Sequence, residues 1–140
     1  MMVKEFGIRI KSNYKGNIKY IISNLIIIIT IFVLYELNNY IFIRYSNGHI
    51  YYFFTCYFDD LMAGTLMMSS INIVLVLLFS KRIKNLFPIL LMMLLIGIFW
   101  EYSPNIFREN AVSDIADIVA YEIGGLFYWF LFYIKEDGYV

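Results

Sequence analysis

Glu101, Ser113, Asp114, Asp117 and Tyr121 fall inside or against stretches that are otherwise apolar. A charged side chain at the centre of a membrane-spanning helix costs about 2.5–3.5 kcal/mol on insertion scales, so such residues are kept where they serve a purpose. On a helical wheel centred on Asp117, the side chains of Ser113, Asp114, Tyr121, Gly124 and Tyr128 all lie within about 60°. That face could hold a hard divalent cation through Asp114, Asp117 and Glu101, because such ions take oxygen ligands. With Asp60 added it could bind a cationic or polyhydroxylated head group, or set an acid beside a carboxylate for general acid–base work. No nucleophile elbow, histidine pair or phosphate-binding glycine loop accompanies these residues, so a membrane-embedded hydrolase would rest on paired carboxylates alone. The structural alternative is that Asp114 caps a helix while Asp117, Tyr121 and Glu101 satisfy one another and Arg108.

The elements that must position these residues are membrane spans. The chain has 140 residues, of which 61% are hydrophobic and 20% aromatic, and its apolar runs are too long for a soluble core of that size. Residues 1–140 therefore read as one integral membrane domain with the lipid bilayer as its first partner. Spans are expected at about 19–43, 61–80, 86–102 and 113–134. The basic N-terminus ahead of an isoleucine run reads as the flank of a retained span, because that run exceeds a signal-peptide core and lacks a cleavage site. Cys56 is the only cysteine, which excludes an internal disulfide and a multi-cysteine metal site. A formal net charge of zero offers nothing to nucleic acid.

Between the spans, Asn47 and Gly48 mark a turn, and Ile50 to Phe58 is too short and too aromatic to cross, which suits an interface. His49 has no ligand partner at metal spacing and reads as a loop residue. Asp59 and Asp60 open the second span, where either could cap the helix. Thr65, Ser69 and Asn72 share one side of it, suited to hydrogen bonds with a neighbouring helix. Pro88 sits in an opening turn, where proline is tolerated, and Pro104 is expected to end the third span.

Charge sets the orientation. The N-terminal segment, the Lys81, Arg82 and Lys84 turn, and the tail carry five, three and one of the basic residues, nine of the 11, against Arg44 and Arg108 in the other connections. Positive-inside weighting makes both termini cytoplasmic in an all-α, four-helix transmembrane bundle. Glu36, Asp59, Asp60, Glu101, Asp114, Asp117 and Glu122 gather toward the opposite face. Ala116, Ala120 and Gly124 recur every fourth residue, a small-residue ridge, and Gly64 offers a matching approach on the second span. Glu122 falls well off the aspartate face and needs its own accommodation.

The pattern Phe99, Trp100, Glu101, Tyr102, Pro104, then Ser113, Asp114, Asp117, Ile118, Ala120, Tyr121, Gly124, Tyr128, Trp129 resembles the small VanZ-like membrane proteins. Asp60, Leu61, Ala63 and Gly64 at the start of the second span resemble its short members, and the likeness covers about 59–133. In that family a glutamate ends one span, and Ser-Asp-x-x-Asp followed by a glycine opens the last. The resemblance carries over Glu101, Ser113, Asp114, Asp117 and Gly124; Tyr121 stands where better-known members have asparagine. It implies a multi-pass cell-membrane protein of the envelope.

The expected function is therefore that of a VanZ-like envelope membrane protein. Its extracytoplasmic acidic pocket of Asp60, Glu101, Ser113, Asp114, Asp117 and Tyr121 would bind a lipid-linked envelope ligand or a divalent cation, or a membrane protein partner would dock there. A small transporter or channel subunit is the first rival. It would need a continuous polar path, and the inner halves of the first, third and fourth spans are expected to offer almost none.

Overall fold

The computed structural model describes residues 2–107 and 114–133, which leaves Ser113 and Arg108 outside the described residues. The described chain is all-helical. Helix α1, Met2–Leu37, runs on through a π-helical turn, Asn38–Phe42, and a last α-helical turn, Ile43–Tyr45. Asn17 departs from helical geometry (φ −124°, ψ 17°) and kinks α1 between its basic N-terminal part and the isoleucine run. The apolar stretch long enough to span, Glu5–Tyr45, includes this kink. At its far end the helix continues through Asn38 and Asn39, because the π-turn keeps the backbone bonded while Asn38 is fully buried.

Ser46 and Asn47 are extended, and Gly48, at φ +61°, starts helix α2, Gly48–Cys56. That backbone angle is strained for any residue with a side chain, which accounts for glycine here. Helix α3, Phe58–Phe79, follows after Tyr57 and ends on Ser80 in the left-handed conformation (φ 56°), whose N–H donates to the Val76 carbonyl. Glycine usually fills that cap. Here the Ser80 hydroxyl accepts a 3.0 Å bond from Asn17 Nδ2, a contact glycine could not make. Helix α4, Leu86–Phe107, has Pro88 in its first turn. It does not end at Pro104: the proline lacks the N–H that would bond the Trp100 carbonyl, yet the helix continues to Phe107. Helix α5, Ile115–Tyr133, begins after Asp114.

Four stretches are long and apolar enough to cross a membrane: Glu5–Tyr45, Gly48–Phe79, Leu86–Ser103 and Ile115–Phe132. At 1.5 Å per residue, even the 18-residue stretches reach about 27 Å, close to the hydrocarbon thickness. Across the bundle the order is α1, α3, α5, α4, with α4 resting on α5 and barely touching α3. Such a row has a thin core, and many large apolar side chains face outward, among them Ile29, Phe32, Phe87 and Phe99. In water this surface would be a severe liability, whereas acyl chains cover it at no cost. The interior is Met68, Ile89, Met93 and Tyr128, with Tyr20, Ile21 and Val76 beside it.

The central pair, α3 and α5, runs parallel and touches backbone to backbone. A Cβ on Gly64 would lie 2.5 Å from the Tyr121 carbonyl oxygen, and one on Gly124 would overlap the Leu61 carbonyl oxygen and stand 3.0 Å from Gly64 Cα. Neither obstacle is a movable side chain, so any substituent must push the helices apart. We expect Gly124→Leu to lower the stability of the detergent-purified protein by at least the ~1–3 kcal/mol typical of overpacking. Gly16→Ala, where a Cβ meets nothing within 4 Å, should leave it intact. Thermal unfolding with a gel-filtration readout checks both.

Candidate functional site

At the end of the bundle where α3 and α5 begin, the glycine crossing fixes what their first turns face. Asp60 on α3 meets the Tyr121 phenol on α5 and shares its surroundings with Asp117 on α5 and Glu101 on α4. Tyr121 is buried, Asp60, Asp117 and Glu101 are half-buried, and Asp114 is exposed at the rim. Three helices therefore bring Asp60, Glu101, Asp117 and Tyr121 together.

Two of the carboxylates already serve the fold. Asp114 Oδ1 accepts the Ala116 N–H at 2.9 Å, a cap on α5, and the Asp114 backbone N–H donates to Glu101 Oε1. The second bond ties the start of α5 to the last turns of α4. A divalent cation on Glu101, Asp114 and Asp117 does not match this arrangement. Among the described residues no three of His, Cys, Asp and Glu are grouped to hold a metal ion. The physical reason is that the Asp114 and Glu101 oxygens turn to backbone N–H groups.

Asp59 and Asp60 do not cap α3 either. Tyr57 occupies the cap position without a side-chain bond, and both aspartates lie in the first turn, where the helix dipole favours them. Asp59 Oδ1 instead accepts a 3.1 Å bond from Asn38 Nδ2, which also donates to the Phe54 carbonyl at 2.9 Å.

The small-residue ridge divides into two parts. Gly124 meets Gly64, and Ala120 is buried. Ala116, one turn nearer the acidic end, lines a cavity of about 280 Å3 with Phe53, Tyr57, Leu61, Val119 and Ile123, and Ala120 borders that cavity as well. That wall is apolar and holds none of the carboxylates.

In the opposite half of the bundle, Asn72 and Tyr128 meet two polar residues that sequence reasoning passed over, Tyr20 and Asn24. Asn72 Nδ2 donates to the Tyr128 hydroxyl at 3.0 Å, and that hydroxyl donates to Asn24 Oδ1 at 3.0 Å. With its proton committed, Tyr128 must accept from the Tyr20 hydroxyl, 2.9 Å away. Asn72 Oδ1 takes the Ile83 N–H at 2.8 Å, which anchors the basic turn after α3. Arg82 lies 4.0 Å from the Tyr20 ring centroid and donates to Asn17 Oδ1 at 2.9 Å. The expectation that the inner halves of the first and last spans are nearly without polar groups is thus corrected. Tyr20 and Asn24 on α1, and Tyr128 on α5, occupy them. The missed signal was spacing: Asn13, Asn17, Tyr20, Asn24, Ile31 and Asn38 step by three, four or seven and line one side of α1.

On α3, Thr65 Oγ1 donates to the Gly124 carbonyl at 2.9 Å and Ser69 to the Thr65 carbonyl at 3.0 Å. Bonds across the helix pair thus run from Asp60 to Asn72, each satisfied within the protein.

Comparison of the chain with protein-family models, with curated proteins and with solved structures finds no match to any of them.

Removing the Tyr128 hydroxyl strands Asn24 Oδ1 and takes an acceptor from Asn72. Hydrogen bonds between membrane helices average about 0.6 kcal/mol. Tyr128→Phe should therefore cost about 1–2 kcal/mol, and a double-mutant cycle with Asn72→Leu should show coupling, measured by unfolding in detergent. Tyr102→Phe, at an exposed position, should cost nothing measurable.

Proposed function

We propose that this multi-pass membrane protein is VanZ-like, resides in a cell-envelope membrane with both termini cytoplasmic, and binds an envelope ligand with a cationic or amino head group at its acidic end. The observation that carries this reading is the convergence of Asp60, Glu101 and Asp117 with Tyr121 from three separate helices, above a glycine contact that holds them in register. Asp114 and Glu101 fix where α5 starts. Asp60 and Asp117 are the groups whose charge the fold does not consume as caps, and Tyr121 orients Asp60. A cationic head group is the complement to such a cluster, because carboxylates accept charge-assisted hydrogen bonds from ammonium donors. Family membership rests on the resemblance of Glu101, Asp114, Asp117 and Gly124, and the topology on the basic residues of the N-terminus and the Lys81 to Lys84 turn.

The test is thermal stability of the detergent-purified protein with an ethanolamine and amino-sugar head-group series, wild type against Asp117→Asn. A ligand at 100 times its dissociation constant adds about 2.7 kcal/mol to the folded state. Wild type should be stabilised by at least one member and Asp117→Asn by none. If Asp117→Asn simply melts lower and no head group moves either protein, the cluster is a packing device and the ligand reading fails.

A further inference from the structure

A second cavity, of about 330 Å3, opens between α1 and α3 on the other side of Asp60. Its walls are Ile31 and Phe32 from α1 and Met62 and Leu66 from α3, with Tyr35 near its head and Ala63 at its floor. Asp59 and Asp60 border one end of this otherwise apolar trough. Phe32 and Tyr35 keep much of their area exposed, which leaves the trough open toward the surrounding acyl chains.

Asn38 stands behind Asp59. It is fully buried, its Nδ2 is bonded to Asp59 Oδ1, and the Oδ1 of the same amide group is a buried acceptor without a donor. Buried polar atoms are almost always paired, so an unpaired one in a native fold calls for an explanation. Reversing the amide would not help, because it would set an oxygen against the Phe54 carbonyl and the Asp59 carboxylate. Behind the trough's acidic end, one amide thus serves Asp59 with its donor while its own acceptor goes without.

We propose that this trough binds a lipophilic primary amine from the bilayer, its ammonium group on Asp59 and Asp60 and its alkyl chain along Ile31, Phe32, Met62 and Leu66. Charge complementarity selects the head: an ammonium brings three N–H donors and one positive charge to two carboxylates. The aromatic rings of Phe32 and Tyr35 add attraction for a cation held near them. The apolar walls select the tail. The proposal rests on the reading of the acidic end as a ligand site, since Asp60 belongs to both the trough and the cluster.

The experiment is equilibrium binding of tritiated decylammonium to the full chain in lipid nanodiscs, with empty nanodiscs as the blank for partitioning. Saturable binding is expected for wild type and none for decanol, which has the same chain without the charge. Asp59→Asn and Asp60→Asn should each weaken it at least tenfold. Ala63→Phe, which fills the floor without touching a charge, should abolish it, and Tyr51→Phe on exposed α2 should leave it unchanged. No saturable binding beyond the blank, or binding that survives both Asp59→Asn and Ala63→Phe, overturns the proposal. Loss with Asp117→Asn and Asp60→Asn but not with Asp59→Asn or Ala63→Phe places the amine in the cluster, which ends the trough proposal and keeps the ligand reading. If decylammonium fails to bind while the head-group series still stabilises wild type, the trough proposal again falls alone.

Discussion

The contact between Gly64 and Gly124 governs this molecule. Membrane helices gain little from excluding lipid, so their association depends on how closely backbones can approach and what polar groups the approach brings together. Here the approach is limited by main-chain atoms on both sides, which fixes the axial register of α3 against α5. Because the two helices run parallel, one register sets both ends at once. Toward the helix starts it places Asp60 against Tyr121, and toward their ends Asn72 against Tyr128. The other two spanning helices are added to this pair from outside, α1 along α3 and α4 along α5.

The two polar ends differ in kind. At the basic end, Tyr20, Asn24, Asn72 and Tyr128 close on one another with donors matched to acceptors, and the Ile83 N–H completes the set. A closed network of that sort specifies a packing arrangement. At the acidic end the account does not close: Asp60 has Tyr121 and Glu101 has the Asp114 N–H, but Asp117 adds a further acceptor beside them and Asn38 has an oxygen without a donor. The contrast is what separates a joint from a site.

Much of the fold was legible because lipid imposes simple rules on sequence. Four apolar runs of spanning length and the turn at Asn47 and Gly48 follow from hydropathy and turn chemistry, and the all-helical, four-span fold agrees with them. Local signals were less decisive. Pro104 looked like a terminator, yet α4 runs past it to Phe107. Asp59 looked like a cap, yet Asn38, 21 positions earlier in sequence, claims it. The side of α1 that carries Asn13, Asn17, Tyr20 and Asn24 was hidden by an isoleucine run apolar on all faces, where polar residues look incidental until a partner helix is in view. At the candidate site the membership of Asp60 in the Tyr121 neighbourhood follows from the glycine register. The trough between α1 and α3 could not be read at all, since it depends on how two non-adjacent surfaces meet.

Asn24 also bears on how the chain is made. Its Oδ1 is satisfied by Tyr128, which lies 104 residues further along. At translation rates of about 5–20 residues per second, the first span waits roughly 5–20 s in the bilayer before that partner exists. Its amide is covered in the meantime by the Tyr20 carbonyl, one turn back on the same helix, at 2.9 Å. The nascent first helix thus carries its own temporary seal and keeps one acceptor open for α5. In biosynthetic terms, Asn24 is a docking mark set in the first helix and read by α5.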